Sequence, residues 1–237
     1  MKVSVILPTY NESGNIINLL QEIITIIPEN YDYELIVVDD NSPDQTYQIV
    51  KDAFTQNPKV IPIKRTKDRG LGKSIRTGIE RVTGDQIIVM DTDFTHDPVE
   101  IPRLLHVSQI YDIVIGSRFS PGGQMQNRMH YIASWLYNGL LRIVLRTQVQ
   151  DNLGGFFIIH TSKLEDLPYD LIFYGYGDYF FRLLHYAQRH NMTIVEIPAN
   201  YTSRKQGYSK SNYLKMLFRY TNAMIALRLN RGKIGKY

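Results

Sequence analysis

The sequence predicts an α/β fold with a mostly parallel central sheet flanked by helices, and three observations support this prediction. Short apolar runs alternate with helical patterns along the first half of the chain, which is the order that β-α-β units produce. Each run is continuously apolar, as in strands that are buried on both faces of a sheet. The 237 residues, 43% of them hydrophobic, are enough for one sizeable core. We therefore expect a single domain over residues 1–237, with right-handed crossovers between its parallel strands.

The elements predicted in the first half follow one another at the spacing of such units. Apolar runs of strand length cover residues 3–7, 34–38, 60–63, 86–90 and 112–116. Helical patterns between them begin at Ser13, near Tyr47 and at Leu71, with apolar residues three or four apart. The N-terminal run is too short for the apolar region of a signal peptide and is predicted to be the first strand.

The second half is predicted to complete the sheet and cover its open edge. Helical patterns occupy residues 128–146, 175–190 and 212–229, and strand-like runs occupy 156–159 and 193–197. The first of these helices carries an apolar stripe formed by Ile132, Leu136, Leu140, Ile143 and Val144. This helix and the basic last helix either pack on the sheet or lie on a membrane surface. No run reaches the roughly 18 to 20 apolar residues that a membrane span needs.

Basic residues are concentrated toward the C-terminal end of the chain. All 23 acidic residues lie at or before Glu196, and nine of the 27 Lys and Arg residues follow it. This pattern is typical of a segment that faces phosphate groups in a lipid, a nucleic acid or a phosphorylated substrate, or of a solvated tail.

The apolar run at 86–90 is the most informative stretch, because it stops at two carboxylates, Asp91 and Asp93. Ligands of open α/β sheets bind at the carboxyl ends of strands, and residues i and i+2 there can turn their side chains the same way. The two carboxylates are therefore predicted to share one hard divalent cation, whose open positions a diphosphate fills. The simpler interpretation is a pair of solvated carboxylates in a turn. His96, in the same turn, is a candidate ligand or base unless it packs within the turn.

Further polar side chains follow the first two predicted strands. Tyr10 and Glu12 follow the first, and Asp39 and Asp40 end the second. The carboxylates suit the ribose hydroxyls or the edge of a base, and the tyrosine suits stacking on a base. Together with the cation site described above, they predict a site for a nucleotide-sugar.

The common alternatives to such a site lack their motifs. No Gly-x-Gly-x-x-Gly follows the first strand, which argues against a Rossmann dinucleotide site. The segment 70–74, Gly-Leu-Gly-Lys-Ser, resembles a P-loop, but Lys67 stands where that motif requires glycine. The absence of cysteine excludes disulfides and thiolate metal sites and fits a reducing compartment.

Four motifs, in order along the chain, carry a resemblance to a known family. They are Val-Ser-Val-Ile-Leu-Pro-Thr-Tyr-Asn-Glu at 3–12, Val-Val-Asp-Asp-Asn-Ser-Pro-Asp at 37–44, Met-Asp-Thr-Asp-Phe-Thr-His-Asp-Pro at 90–98 and Ile-Gly-Ser-Arg-Phe at 115–119. Together they resemble the family 2 glycosyltransferases, and within these the branch of dolichol-phosphate mannose synthases and other polyprenyl-phosphate glycosyltransferases. The resemblance implies the GT-A (nucleotide-diphospho-sugar transferase) fold with a C-terminal amphipathic basic helix. It also implies a nucleotide-sugar-binding half at 1–120 and an acceptor-binding half at 121–237.

The resemblance further implies roles for individual residues. The nucleotide-sugar would be held by Pro8, Tyr10, Glu12, Val38, Asp40, Asp91, Thr92, Asp93 and Arg118. Three of these, Asp91, Asp93 and Arg118, would be the catalytic residues. Mg²⁺ or Mn²⁺ would bind Asp91 and Asp93, with Thr95 as a further candidate ligand. The acceptor phosphate would meet Arg128, Arg204, Ser209 and Lys210.

The chain departs from the pattern of this branch at three positions. Thr95 stands where the branch often has Gln or Ser. Gly154 replaces the serine of an Asp-x-x-Ser-Gly-Phe segment, and Phe181 occupies the position of a usual glutamate, with Asp178 one turn earlier. The last two differences lie on the acceptor side and leave the identity of the acceptor open.

The function implied by the resemblance is inverting, metal-dependent transfer of a hexose to a dolichyl or polyprenyl phosphate. Mannose from GDP-mannose is the first candidate donor. One alternative is a UDP-sugar-dependent glucosyl- or aminosugar transferase acting on polyprenyl phosphate or on a glycan. Another is a non-catalytic nucleotide-sugar-binding subunit that docks on a membrane. We expect a cytoplasmic protein that is peripheral at the cytosolic face of a membrane or bound to a small membrane subunit, and no nucleic-acid partner.

Overall fold

The structure is a computed structural model that describes residues 1–202 and 213–229. Its strands are β1 (Lys2–Thr9), β2 (Asp32–Asp39), β3 (Val60–Lys64), β4 (Gln86–Val89), β5 (Ile113–Ser117), β6 (Gln124–Met125), β7 (Phe157–His160), β8 (Ile194–Pro198) and β9 (Asn200–Tyr201). Its helices are α1 (Ile16–Ile26), α2 (Thr46–Ala53), α3 (Leu71–Ile79), α4 (Ile101–Val107), α5 (Arg128–Leu145), α6 (Thr161–Leu164), α7 (Tyr169–Ile172), α8 (Asp178–Arg189) and α9 (Tyr213–Leu229). A single 3₁₀ turn, Pro98–Glu100, leads into α4.

Within the described residues, the larger sheet has seven strands in the order β3-β2-β1-β4-β7-β5-β8. Strand β1 pairs in parallel with β2 and β4, β2 pairs in parallel with β3, and β5 pairs in parallel with β8. Strand β7 runs antiparallel between β4 and β5. The predicted α/β fold with a mostly parallel sheet is therefore confirmed. The short strands β6 and β9 form a separate parallel pair.

The sheet is buried on both faces because its strands are continuously apolar. Val5 and Ile6 are neighbours on β1 and belong to hydrophobic clusters on opposite sides of the sheet. Helices α1 and α4 contribute to the cluster around Val5, and α3, α5, α8 and α9 contribute to the cluster around Ile6. Since β1, β2 and β4 are parallel neighbours, their carboxyl ends and the loops that follow them meet at one edge.

A buried carboxylate fixes these strands at their opposite ends. Glu34 accepts hydrogen bonds from Ser4 Oγ at 2.6 Å, from Thr83 N at 2.6 Å and Oγ1 at 2.7 Å, and from Lys2 Nζ, with which it also forms an ion pair at 2.9 Å. Burial opposes ionisation of Glu34, but these hydrogen bonds outweigh it and lower its pKa below the ordinary value. The network ties β1, β2 and the turn before β4 together.

Helices α1 and α4 differ from what the sequence predicted, and the reasons are local. The helix expected from Ser13 begins at Ile16, after a turn in which Asn15 N and Ile16 N donate to Glu12 O. The helix α4 was not predicted, because its seven residues are too few for a helical period to stand out.

The apolar stripe predicted on the long helix α5 largely faces solvent and does not pack on the sheet. The residues that α5 buries are Asn138, Leu141 and Leu145. Four of the five stripe residues, Ile132, Leu136, Leu140 and Ile143, are between 41% and 79% exposed. Val144 is half-buried against the core. None of the described helices is both long enough and apolar enough to cross a membrane.

Candidate active site

A cavity of about 960 Å³ opens at the carboxyl edge of the sheet. The predicted site residues that line it are Pro8, Tyr10, Glu12, Asp40, Asp91, Thr92, Asp93, Thr95 and Arg118. Val38 does not line it, because its side chain is fully buried within β2. Arg128 is exposed at the first residue of α5, beside the lining residue Asn127. Arg204, Ser209 and Lys210 lie outside the described residues.

The turn after β4 presents the two carboxylates predicted to hold a cation. Asp91 is 48% exposed at its side chain, whereas Asp93 is only 3% exposed. Asp93 Oδ1 accepts hydrogen bonds from Thr95 N at 3.0 Å and Thr95 Oγ1 at 2.6 Å. Phe94, which lies between Asp93 and Thr95, has a φ of 66°, so the tight turn forces a non-glycine residue into the left-handed region. The turn is thus held in one strained conformation with both carboxylates at the cavity.

The chemistry of this turn suits Mg²⁺ or Mn²⁺, which prefer oxygen ligands. Magnesium is commonly bound through one or two carboxylates while substrate phosphates complete its coordination. In residues 1–202 and 213–229, no group of three or more His, Cys, Asp or Glu is arranged to hold a metal ion. An ion at Asp91 and Asp93 would therefore draw further oxygen ligands from elsewhere, such as a diphosphate. The Thr95 hydroxyl donates to Asp93, so it would approach a cation only through its oxygen lone pairs.

Asp40 is fixed at the cavity wall by groups from the neighbouring loop. It forms an ion pair with Arg65 Nη1 and accepts a hydrogen bond from Gly70 N at 2.7 Å. Arg65 Nη1 also donates to Ser74 Oγ at 2.8 Å. These contacts orient the carboxylate and bring the segment 69–74 into the cavity wall. Asp39 instead accepts hydrogen bonds from Thr9 and Ser42 and does not line the cavity.

Arg118 lines the cavity, but its charge is already paired with a buried carboxylate. Asp151, which is fully buried, accepts from Arg118 Nε at 2.8 Å, from Nη2 at 2.6 Å and from the backbone N at 3.0 Å. Burial alone would lower the pKa of Arg118, but the charge of Asp151 and its hydrogen bonds raise it above the ordinary value. The guanidinium is therefore held rigidly, and two of its three nitrogens are committed to Asp151.

The second half of the chain supplies cavity walls, most of whose residues the sequence did not identify. They come from the segments after β6, before β7 and before α8, from β9, and from the start of α9. The lining residues from these segments include Asn127, His130, Gly154, Gly155, Tyr176, Gly177, Tyr179, Tyr201, Met216 and Tyr220. Burial raises the pKa of Tyr179 and of Tyr201 well above the ordinary value. Apart from Gly154 and Gly155, which belong to the segment compared with Asp-x-x-Ser-Gly-Phe, no motif that we recognised pointed to these residues.

Gly154 is required by a close contact with Tyr201. A Cβ atom at this position would lie 2.7 Å from Tyr201 Oη and 3.2 Å from Asp151 Cγ. The tyrosine hydroxyl donates to Gly116 O at 3.0 Å, which fixes it in place. A serine here would clash with this hydroxyl, and this explains the departure at Gly154. The side chain of Phe181 is fully buried in the core, where it contacts the Tyr220 ring.

Asp178, the acidic residue at the start of α8, is not available as a base. It accepts from Tyr176 N at 2.7 Å, forms a buried ion pair with Arg182 Nη1 at 2.5 Å, and lies 3.7 Å from Arg219 Nε. It does not line the cavity. Its contacts instead hold the turn that carries Tyr176 and Gly177 against α8.

Comparison of the sequence with known proteins gives a consistent result. The profile of Glycosyl transferase family 2 matches residues 4–168. A dolichol-phosphate mannosyltransferase of Pyrococcus furiosus is 31% identical over 241 residues, covering 100% of this chain and 66% of the relative, so the chain spans about two thirds of that protein. An undecaprenyl-phosphate mannosyltransferase of Micrococcus luteus is 34% identical, covering 89% of this chain and 87% of the relative. A polyprenol monophosphomannose synthase of Mycolicibacterium smegmatis is 31% identical, covering 97% and 89%.

Solved structures share the fold at lower sequence identity. Glucosyl-3-phosphoglycerate synthase from Mycobacterium tuberculosis, in complex with Mn²⁺, UDP-glucose and phosphoglyceric acid, has a TM-score of 0.73. It is 19% identical, and the match covers 96% of this chain and 79% of that one. The same enzyme with Mg²⁺ and UDP has a TM-score of 0.69 at 20% identity, covering 99% of this chain and 80% of that one. At this identity the likeness establishes the fold.

Proposed function

Because the chain belongs to glycosyl transferase family 2 and is a glycosyltransferase, we propose that it moves mannose from GDP-mannose to a dolichyl or polyprenyl phosphate in a metal-dependent, inverting reaction. The proposal is carried by one observation. Carboxylates from the loops after β1, β2 and β4 line the same cavity at the carboxyl edge of the sheet. Mannosyl transfer to a lipid phosphate is the activity named for the three relatives described above.

The donor would lie along this edge. Tyr10 is exposed at the cavity and offers a ring on which a base can stack. Asp40, which Arg65 and Gly70 hold at the cavity wall, would accept hydrogen bonds from the nucleoside. Asp91 and Asp93 would hold Mg²⁺ or Mn²⁺ against the diphosphate. The bound ion would supply electrostatic stabilisation of the diphosphate as it leaves. Manganese or magnesium is present in the mycobacterial structures of the same fold, which supports this assignment.

A phosphate monoester is the acceptor that this site suits best. It is already anionic at pH 7, since its second pKa is about 6, so it requires orientation and charge balance and no general base. This agrees with the engagement of Asp178 by Arg182 and Tyr176. Arg69 and Arg118 line the cavity among the described residues, and Arg128 lies in the first turn of α5, where the helix dipole also favours an anion. Beyond the described residues, we propose Arg204, Ser209 and Lys210 as further contacts for the acceptor phosphate.

A polyprenyl acceptor would be presented by a membrane, and the exposed surface of α5 and α9 suits contact with one. The two helices lie side by side, joined by a hydrogen bond of 3.1 Å between the Tyr137 and Thr221 hydroxyls. Neither helix contains an acidic residue. Their exposed apolar residues, which we name the α5–α9 face, are Met129, Ile132, Trp135, Leu136, Leu140, Ile143, Leu217, Phe218, Ile225 and Leu229.

The position of the α5–α9 face relative to the cavity supports a lipid acceptor. Asn127 and His130 at the start of α5, with Met216 and Tyr220 near the start of α9, line the cavity. A phosphate in the cavity would therefore lie next to an apolar surface, as a polyprenyl phosphate requires. We propose that the protein is peripheral at the cytosolic face of a membrane through this face.

Transfer of glucose or an aminosugar from a UDP-sugar is the second candidate. It is favoured by the UDP-glucose bound in the mycobacterial structures. The phosphoglyceric acid bound together with UDP-glucose in the Mn²⁺ complex is a small anion, without the long apolar chain of a polyprenyl phosphate. The α5–α9 face therefore favours the lipid acceptor over a small one.

The proposal is tested by incubating the purified protein with GDP-mannose or UDP-glucose and a short-chain polyprenyl phosphate in detergent, with Mn²⁺ or with EDTA. We expect mannosyl lipid from GDP-mannose with Mn²⁺, and no product with EDTA. Asp91→Asn and Asp93→Asn should abolish turnover. The matched control is Asp97→Asn, because Asp97 accepts from Val99 N in the same turn and does not line the cavity. Near-native turnover of Asp91→Asn or Asp93→Asn with metal present would reject the assigned metal site.

Other outcomes of this experiment separate the alternatives. Glucosyl lipid from UDP-glucose would establish the second candidate, and donor binding without any product would favour a non-catalytic subunit. Lys210→Ala should mainly raise KM for the acceptor.

For the membrane contact, Trp135→Glu combined with Ile143→Glu should weaken flotation with vesicles that contain anionic lipid. Ile110→Glu is the control for Ile143→Glu, since Ile110 and Ile143 are 77% and 79% exposed and Ile110 lies outside the α5–α9 face.

A further inference from the structure

The buried ring of His96 joins the turn after β4 to the loop that precedes β7. Beyond Met90, whose N–H donates to Ile6 O, the backbone leaves the sheet. The next amide, Asp91 N, donates to His96 Nδ1 at 2.9 Å. On the other side of the ring, His96 Nε2 lies 3.1 Å from Gly154 O. One side chain therefore contacts the backbone of a proposed metal-binding residue and the backbone of the opposite cavity wall.

These two contacts define the tautomer of the imidazole. A backbone N–H can only donate, so Nδ1 must be the unprotonated nitrogen. A backbone carbonyl can only accept, so Nε2 must carry the hydrogen. The Asp91 carboxylate is 3.8 Å from Nε2, which is too far for a hydrogen bond. With both nitrogens in use, the ring is not placed to bind a metal or to act as a base.

The surroundings of the ring hold it in this orientation. The imidazole stacks on Phe156, with centroids 5.0 Å apart and planes 10° apart. The Tyr201 ring meets its edge at 4.8 Å, and His96 and Tyr201 also form a β-bridge. Thr202 Oγ1 donates to Phe94 O at 2.5 Å, so the same turn is also tied to the residue after β9. The ring is 1% exposed, and water does not compete for its hydrogen bonds.

We propose that His96 is a positioning residue, which through a single neutral tautomer holds the Asp91 turn and the Gly154–Gly155 loop at a fixed separation. This inference rests on the proposed function of the cavity, because it assigns the donor metal to one of these loops and the acceptor side to the other. The hydrogen bond to Nδ1 orients the Asp91 turn, and the hydrogen bond from Nε2 orients the Gly154–Gly155 loop. Loss of the first bond should therefore weaken donor binding, and loss of the second should weaken use of the acceptor.

Three substitutions separate the two bonds. The amide oxygen of His96→Asn lies near the Nδ1 position and keeps the acceptor for Asp91 N. The amide of His96→Gln reaches the Nε2 position and keeps the donor to Gly154 O. His96→Phe keeps only the stacking on Phe156.

We expect the Gln and Phe variants to weaken Mn²⁺-dependent binding of GDP-mannose about tenfold, the effect of one unsatisfied backbone amide, with little change in the Asn variant. The acceptor KM should rise in the Asn and Phe variants and change little in the Gln variant.

Measurements that need no turnover test the inference independently of the proposed function. Nitrogen-15 NMR of histidine-labelled protein should show His96 with hydrogen on Nε2 alone, and the Asp91 amide should be protected from exchange in the wild type and the Asn variant only.

His160→Gln is the control, because His160 bonds to Ser108 O away from the cavity and should leave donor binding unchanged. The opposite tautomer, an imidazolium, or native donor affinity and acceptor KM in His96→Phe would overturn the inference. If the wild type binds neither GDP-mannose nor UDP-glucose, the proposed function fails, and the NMR and exchange results still decide the role of His96.

Discussion

Removal of the charge on Asp151 should destabilise the protein more than any comparable change at an exposed ion pair. Asp151 accepts three hydrogen bonds from Arg118, and the two residues are 0% and 7% exposed. Asp151→Asn keeps the shape and one acceptor oxygen but leaves the guanidinium charge without a partner. Breaking a buried pair in this way typically costs about 3–5 kcal/mol. Because the cavity gives solvent some access to Arg118, we expect the lower end, about 3 kcal/mol, or on the order of 10 °C in Tm for a chain of this size.

The assay is urea unfolding followed by circular dichroism, with Asp170→Asn as the matched control. Asp170 also pairs with an arginine, Arg76, but its side chain is 85% exposed, so its loss should cost about 0–1 kcal/mol. The double variant Arg118→Met/Asp151→Asn removes the orphaned charge and should recover part of the loss. Equal free energies of unfolding for Asp151→Asn and Asp170→Asn would refute the reasoning, since the argument depends on burial of the pair.

Two further predictions concern packing and pH. Gly72→Ala should destabilise the protein by about 1–3 kcal/mol in urea unfolding, because its Cβ would lie 2.7–2.8 Å from backbone atoms of Tyr174. Gly139→Ala on α5 should be neutral or stabilising by up to about 1 kcal/mol, since no atom lies within 4 Å of that Cβ. An equal loss in the free energy of unfolding in both variants would contradict the explanation by close contact. The pKa of Glu34 is lowered because its hydrogen bonds, led by that from Ser4, outweigh the effect of burial. The stability that Glu34 contributes is therefore complete above the unfolded-state pKa of about 4.3, and it is lost as the pH falls through the lower pKa of the folded state. Urea titrations at a series of pH values should therefore show a shallower acid loss for Glu34→Gln than for the wild type, and parallel curves would argue against this role.

The fold was largely predictable because its signals are local. Continuous apolar runs marked the buried strands, and alternation with helical patterns indicated parallel β-α-β units, as the structure has them. The resemblance based on four motifs is confirmed by the family profile over residues 4–168. The antiparallel insertion of β7 between β4 and β5 was not predictable, since a four-residue run does not specify its neighbours. The sequence left open whether the apolar stripe of α5 packs on the sheet or faces outward, because the helix is apolar on more than one side and periodicity does not say which side faces the core.

The candidate site was predictable where a strand end and a motif coincide, as at Asp91, Asp93 and Asp40. The contacts that hold the site were not, because their partners are distant in sequence. Arg118 and Asp151 are 33 residues apart, and His96 and Gly154 are 58 apart. Such pairs form only when β4, β5 and β7 come together in the sheet.

The position of β7 has a mechanical consequence. It pairs on one side with β4, which leads to Asp91 and Asp93, and on the other with β5, which leads to Arg118. Strands from early and late parts of the chain therefore belong to one continuous hydrogen-bonded sheet. Within the described residues, the sheet is therefore continuous from β4 to β5, and we expect closure over bound substrates to involve the loops above the sheet rather than a bend within it. Engineered chimaeras that exchange one half of the chain between relatives would also have to preserve the pairing of β7 with both β4 and β5.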